Sequence, residues 1–483
     1  MRINLSKFVF LGVCLTIPTL IRAADAAPCV WWVSCHDTTT SDLVEKASMI
    51  TQLDDGQLVQ GHIDDRLDQK NQSLERLSVW MTQEMVIQKR LDIQAGVGGI
   101  YFYAIPGGDI GDVDGSYLTL TKFGPGISRA DMTYSFGDLD HSPAALQIGY
   151  FPYKYNPDAK DLGEYLLRSG TYPGTVVSGD WNFLANANYM MEGVRFNVSL
   201  WNGKFRTDFL LPMEHDIPPM GDLSPSFVTA VDPVRGLEIG GGVDCNHCIS
   251  VKPSLDTPHY IVPGGQVVNG LGRPSNDYII SNPDTAARHS TPYVRDTTQF
   301  YTFVGVKLMG RASFSPQAYI PMPFLNPEDL RIYGEIAVLG VKDYPFYYND
   351  IYRRMPIMWG INLPTFRVVD ALSFEMEYYN TKFPNSLYNP LRQQVPTPNM
   401  YDANGNLTED PNLGDQNQYI VTGQRWHWDV YARKTVVKGL SVYAQVANDH
   451  IRVPTYNFLP SSEELTDRNG KDWYYLVRLE LGI

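Results

Sequence analysis

The sequence predicts an all-β protein: an antiparallel transmembrane β-barrel of about 16 strands, with roughly 12–18 admissible, behind an N-terminal helical segment. Three observations predict it. From about residue 84 the apolar pattern has a period of two. The chain ends in an amphipathic strand. After residue 27 no stretch reaches the ~18 consecutive apolar residues that a membrane-crossing helix needs.

Composition bounds the rest. The 483 residues suffice for one large β domain, and the 40 Gly and 33 Pro suit many turns. Charged residues are 19% and aromatics 12%, with 30 Tyr, which favours a chain rich in aromatic strand positions. The formal charge of −14 argues against a nucleic-acid partner.

Residues 1–26 read as a signal peptide. Arg2 and Lys7 precede the apolar run Phe8–Ile21, and small residues Ala23, Ala24, Ala26 and Ala27 follow. Cleavage after Ala26 removes Arg2, Lys7, Arg22 and Asp25, so the charge goes from −14 to −16. Cys14 has Val13 before it, a poor fit to a lipoprotein signal.

Residues 27–83 read as a Cys-containing lead-in and an amphipathic helix. Cys29 and Cys35 lie in the lead-in. In 41–83, Ile63, Leu67, Leu74, Leu77 and Met81 recur at spacings of three, four and seven. A coiled coil, a plug inside the barrel and a helix packed on it all satisfy that pattern.

Residues 84–483 read as the barrel. In 425–433, Trp426, Trp428, Val430 and Ala432 occupy one face of a strand, and Arg425, His427, Asp429, Tyr431 and Arg433 the other. In 371–378, Leu372, Phe374, Met376 and Tyr378 oppose Ala371, Ser373, Glu375 and Glu377. In 329–339, Leu330, Ile332, Ile336 and Val338 oppose Arg331, Tyr333 and Glu335. The stretches 194–200 and 440–447 alternate likewise, the first placing Arg195 opposite its apolar set. Phe300 to Leu308 carries one more apolar face. Asn202-Gly203, Gly310 and Lys438-Gly439 are turn signals.

Further strands are expected at 88–104, 116–123, 129–137, 144–153, 180–190, 204–211, 225–233, 235–245, 311–320, 354–363 and 472–483. Long loops interrupt at 246–296 and 384–420. A third insert, 154–178, contains a short helical signal at Leu162–Arg168. It sits outside the rim, the preferred placement, or folds inward as a constriction.

A soluble barrel also alternates, with its apolar face inward. Strand length near the ~9–11 residues of a tilted crossing favours the membrane, as do aromatics near strand ends, including Tyr347-Tyr348, Tyr378-Tyr379 and Trp473-Tyr474-Tyr475. The terminal strand has Trp473, Tyr475, Val477, Leu479, Leu481 and Ile483 on one face and Arg478 and Glu480 on the other. A closing strand leaves no edge in lipid.

The signal peptide, serial amphipathic strands and amphipathic terminal strand together resemble the outer-membrane β-barrel family of Gram-negative bacteria, porin-like members above all. The resemblance covers about residues 84–483 and is architectural, without a residue-specific motif. Family members usually end in an aromatic residue; this chain ends in Ile483. The resemblance implies outer-membrane lipid, small polar solutes and the barrel-assembly machinery as partners, and it admits a homo-oligomer.

If the apolar faces meet lipid, the lumen is lined by Arg195, Arg331, Glu335, Glu375, Glu377, Arg425, His427, Asp429, Arg433, Arg478 and Glu480. Both signs of charge occur. They hold water and a transverse field in an open bore, or they pair across strands and fill a plugged one. Disulfide candidates are Cys29, Cys35, Cys245 and Cys248, the local pairs being preferred. Cys245-Asn246-His247-Cys248 also admits a redox or zinc role, with a structural bridge preferred. The aspartates in Gly107–Gly115 suit a solvated acidic loop better than a calcium site. No Gly-x-Ser-x-Gly or His-Glu-x-x-His motif occurs, so neither an enzyme nor a cofactor or metal is expected. Three functions stay open: a channel for passive diffusion of small polar solutes, a structural or adhesive surface barrel with a filled lumen, and a secreted soluble β protein that binds glycans.

Overall fold

The computed structural model describes residues 43–63, 67–104, 123–139, 142–167, 189–214, 221–251, 304–320, 322–342, 350–380, 426–450 and 471–483, with short pieces at 260–262, 266–268, 400–401, 407–408, 453–455 and 459–462. The predicted signal peptide, Cys29, Cys35, Gly107–Gly115, Arg425, most of 246–296 and nearly all of 384–420 lie outside the described residues.

Sixteen strands close into one antiparallel barrel. They are β1 (Leu43–Ile63), β2 (Leu67–Ile87), β3 (Leu91–Ala104), β4 (Phe123–Ser135), β5 (Ala144–Tyr153), β6 (Tyr189–Leu200), β7 (Phe205–Pro212) and β8 (Ser226–Val234). They continue with β9 (Leu237–Asn246), β10 (Gly305–Phe314), β11 (Ile332–Leu339), β12 (Ile357–Asn362), β13 (Ala371–Tyr378), β14 (Trp426–Val437), β15 (Leu440–Ala447) and β16 (Trp473–Gly482). Each strand pairs with its sequence neighbours, and β1 closes on β16 from Ile50 opposite Gly482 to Gln60 opposite Trp473. Closure gives every wall strand a partner on both sides, the condition for a sheet to stand in lipid, although β1 and β2 run past their second partners.

Among the described residues of 41–83 there is no helix: β1 and β2 occupy them. The apolar spacing that suggested a helix mixes two strand faces. In β2 the odd positions Leu77, Val79, Met81, Met85 and Ile87 alternate with Arg76, Ser78, Thr82 and Glu84. Arg76 and Ser78 are buried while Met81 is half exposed, so the period there is two. Gly310 is not a turn either. It lies inside β10, opposite Gly241 and Ile336, and a single strand replaces the expected break. A glycine in extended backbone leaves the alternation intact, whereas a two-residue hairpin needs positive φ. Asn202-Gly203 does supply it, at φ 57° and 82°.

The two rims differ. Connections 88–90, 136–143, 201–204, 235–236, 315–331, 363–370 and 438–439 share one rim, with both chain ends of the barrel. The C-terminal ends of β1, β3, β5, β7, β9, β11, β13 and β15 lie at the other, where the sequence between consecutive strands is generally longer except after β1. These are the short-turn and long-loop rims.

The barrel is apolar outside and polar inside. Met132, Phe196, Phe209, Phe227, Ile239, Leu308, Ile336, Trp359, Trp426, Val477 and Leu479 are exposed outward. Their strand neighbours Asp131, Asp244, Lys307, Glu335, Glu375, His427, Asp429 and Arg478 are buried inward. A soluble protein does the reverse. Outward rings gather near both strand ends: Trp201 with Phe205 and Phe324 with Phe366 by the short turns, Tyr378 with Trp426 and Trp473 with Tyr475 by the long loops. Such belts suit a bilayer's two interfaces. No described helix is long and apolar enough to cross a membrane.

Candidate functional site

The interior is built in three parts. The first is the seam. Asp54 on β1 lies opposite Arg478 on β16 and Arg76 on β2. Arg478 donates to its two oxygens at 2.6 and 2.9 Å, and Arg76 donates from Nε at 2.8 Å. All three side chains are at most 4% exposed. Burial without these partners would be prohibitive for any of them.

The second part is a cradle of carboxylates around the segment that follows β5. Residues 154–167 turn inward and cross to the far wall, against the preferred expectation of a position outside the rim. They form turns, not the short helix expected at Leu162–Arg168; Arg168 itself lies outside the described residues. Glu375 accepts from the backbone N–H groups of Lys160, Asp161 and Leu162 at 2.6–2.9 Å and from the Tyr333 hydroxyl at 2.7 Å. Glu335 accepts from Tyr155 Oη, Asn156 Nδ2 and the Tyr165 N–H at 2.7–3.0 Å. Glu377 accepts from Tyr165 Oη at 2.6 Å. Arg331 donates to Asp158 at 2.6 Å. A segment without sheet or helix must satisfy its peptide groups elsewhere, and wall carboxylates do so with charge-assisted bonds. The segment's apolar side, with Tyr155, Leu162, Tyr165, Leu166 and Leu167, shares one buried cluster with Phe151, Met309, Tyr333 and Met358. Gly163 allows the close approach. A Cβ there would come within 2.5 Å of the Met358 methyl, and its φ is +85°.

The third part is the half of the interior near the short turns. There the inward side chains of β2, β4, β6 and β14 reach solvent: Glu84, Arg129, Arg195 and Arg433 are 25–33% exposed. Arg129 pairs with Asp131, Arg195 with Asp208 and Arg433 with Glu328 at 2.5, 2.7 and 3.5 Å. Arg206 binds Asp232 and Glu238, and Arg311 binds Glu238. Glu480 accepts from Gln52 and Tyr443, both at 2.9 Å. Toward the long loops the inward wall is buried, including Leu58, Ile100, Tyr474 and Leu476.

The sequence-predicted lining residues therefore fall into different settings. Arg195, Arg433 and Glu480 lie in the wetted half. Glu335, Glu375 and Glu377 hold the inward segment, and Arg331 grips it from the end of its wall. Arg478 belongs to the seam. His427 and Asp429 are buried, His427 against Asp449 at 2.7 Å and Asp429 accepting from Gln445 at 2.9 Å. Sequence reasoning missed Asp54 and Arg76, hidden by the helical reading, though their parity with Gln52 and Ser78 would have placed them inward. It also missed Asp131, Asp208 and Lys307, which strand parity could have found, and Tyr155 and Tyr165, which no local pattern marks. Cys245 and Cys248, at the long-loop end of β9, have sulfurs in bonding contact and Cα atoms 5.6 Å apart.

No family profile matches the chain, and no curated protein matches its sequence. Solved structures it is similar to include porins. A mutant of Rh. blastica porin has a TM-score of 0.40 at 7% identity, with 91% of this chain and 100% of that chain covered. Salmonella typhi OmpF, in complex with daunomycin, has a TM-score of 0.42 at 8% identity, with 91% and 97% covered. At these scores and identities the likeness says nothing about activity; the barrel stands on this chain's own strand order.

Proposed function

We propose that the chain is a porin-like channel of the Gram-negative outer membrane through which small polar solutes diffuse passively. One observation carries the reading: the closed wall is apolar outside and charged inside, and its inner charges are partly wetted beside an inward-folded segment. Water and paired charges make a path that polar solutes can enter, and residues 154–167 narrow it. Purified protein added to a planar lipid bilayer should produce stepwise ion conductance. A silent bilayer, with the protein shown to be inserted, overturns the reading.

A second reading, a structural or adhesive barrel with a filled lumen, is favoured by one feature. The inner wall toward the long loops is buried at Leu58, Ile100, Tyr474 and Leu476. Absence of conductance, with binding of a partner lost on deletion of 384–420, would support it.

Three subsidiary proposals accompany the channel. Export follows cleavage after Ala26, so the mature N-terminus read by Edman chemistry should be Ala27. The barrel-assembly machinery recognises β16. Cys245 and Cys248 form a disulfide in the oxidising envelope, so alkylation before and after reduction should differ by two labels.

A further inference from the structure

We infer that residues 322–331 and 363–370, on the links that follow β10 and β12, form a lipid-binding foot at the short-turn rim. The foot seats Phe366 and Val368 among acyl chains and holds a phospholipid phosphate at Arg367. The inference goes beyond the channel reading: it rests on the wall standing in lipid and not on conductance.

The foot is built from the inside outward. Buried Asp329 accepts from the backbone N–H groups of Asn326 and Thr365, both at 3.1 Å. Asn326 donates in turn to the Thr365 hydroxyl and the Val369 carbonyl, both at 2.7 Å. These bonds tie the two links together and hold the second in a bend between Thr365 and Val369. At the bend Phe366 and Arg367 stand one after the other in left-handed backbone, at φ 51° and 65°. Residues with a Cβ avoid that conformation, and strain of this kind gathers where a chain presents side chains to a ligand. Here the bend presents three successive side chains. Phe366 is 64% and Val368 75% exposed, and Arg367 between them is exposed as well. Phe324 of the first link stacks on Phe366, with ring centroids 6.2 Å apart.

Three observations make a phospholipid the occupant. The foot continues the lipid-facing wall. Leu363, exposed in line with the outward residues of β12, leads into it, and Lys434, on the outward face of β14, donates to the Arg367 carbonyl at 3.2 Å. The tip of the bend therefore lies beside the outer wall and not over the bore. Next, an apolar side chain on each side of a guanidinium matches the boundary where acyl chains meet phosphates. Last, Arg367 is the charge left over. Its guanidinium donates to the neutral Pro323 carbonyl and faces no carboxylate among the described residues, whereas Lys434 is paired with Asp370 at 3.6 Å. A guanidinium binds phosphate through paired, charge-assisted N–H bonds.

Photo-crosslinking of the full-length protein in vesicles of equimolar phosphatidylethanolamine and phosphatidylglycerol tests this. A p-benzoylphenylalanine in place of Val368 should form lipid adducts, read by mass spectrometry, about as efficiently as the same probe in place of Leu479 on the outward face of β16. Adding Arg367→Gln should lower the phosphatidylglycerol share of the adduct at 368 severalfold, and Arg367→Lys should keep most of it. Adducts at 479 in each variant show that the barrel has folded and inserted. Adducts at 479 with none at 368 place the bend in water and overturn the foot. An adduct at 368 whose headgroups ignore Arg367→Gln overturns the phosphate site. No adduct at either position overturns the placement of the wall in lipid, and the foot with it. A barrel that labels at 368 yet conducts no ions overturns the channel and leaves the foot standing.

Discussion

Two buried guanidinium groups converge on Asp54, and its removal tests how buried charge is held. Asp54→Asn leaves Arg76 and Arg478 buried without their shared counter-ion. Stranding one partner of a buried pair costs about 3–5 kcal/mol. We expect urea unfolding of the detergent-solubilised barrel to shift by that order, while an exposed charge such as Lys46, paired with Glu84 at 3.5 Å, should shift it by under ~1 kcal/mol on removal. Asp370, on the short-turn link between β12 and β13, gives a pH prediction. The Thr435 backbone N–H, bonded at 2.6 Å, is the main cause holding its carboxyl below the ordinary 3.8. A depressed folded value contributes stability above the unfolded one and loses it as pH falls through the folded one. Protection of the Thr435 amide should therefore be unchanged from pH 7 to 5 and fall below about 4. In Asp370→Asn that pH dependence should be absent. Trp80 shows a different residue-scale constraint. Its indole lies over Gly98 and Gly126 on the inner wall, and a Cβ at Gly98 would meet Trp80 Cε3 at 2.4 Å.

At the scale of elements, the strands that alternate cleanly in sequence are the strands observed. β5, β13 and β15 coincide with their expected limits, because one face meets apolar surroundings and the other meets charge at every second residue. The inward segment has no such periodicity, and its path depends on wall carboxylates more than 150 residues away in the chain. Glu375→Gln tests its anchoring. The amide keeps one acceptor oxygen and loses the charge that strengthens three backbone N–H bonds and one phenol bond. A charged hydrogen bond contributes about 1.5–3 kcal/mol, so losing the charge should release the segment locally before the barrel unfolds. Amide exchange at Lys160, Asp161 and Leu162 should accelerate by an order of magnitude or more while exchange in β13 stays slow. Equal protection in the variant would show that apolar packing alone fixes the segment.

For the whole molecule, closure is the cooperative event. β16 is bonded to both β15 and β1, so deleting Trp473–Ile483 opens two edges at once. We expect that truncation to abolish the cooperative thermal unfolding of the detergent-solubilised barrel, read by circular dichroism, rather than shift its midpoint. The amino-acid sequence by itself determined the architecture: alternation, strand length and an amphipathic terminal strand select a barrel with an apolar outside, because each strand's two faces are written locally. It also put Glu335, Glu375, Glu377, His427, Asp429 and Arg478 opposite the apolar faces, since parity assigns the face, while Asp54, Arg76, Asp131, Asp208 and Lys307 went unmarked. It misassigned β1 and β2, where Asp55, Gln57 and other outward polar residues blur the alternation and leave a helical spacing by coincidence. Only the tertiary structure decided what the inward charges do. Whether a carboxylate is wetted, paired across a seam or bound to a segment's peptide groups depends on which distant residues face it. Sixteen-strand closure brings β5 and its following segment opposite β11–β14, and no local pattern records that approach.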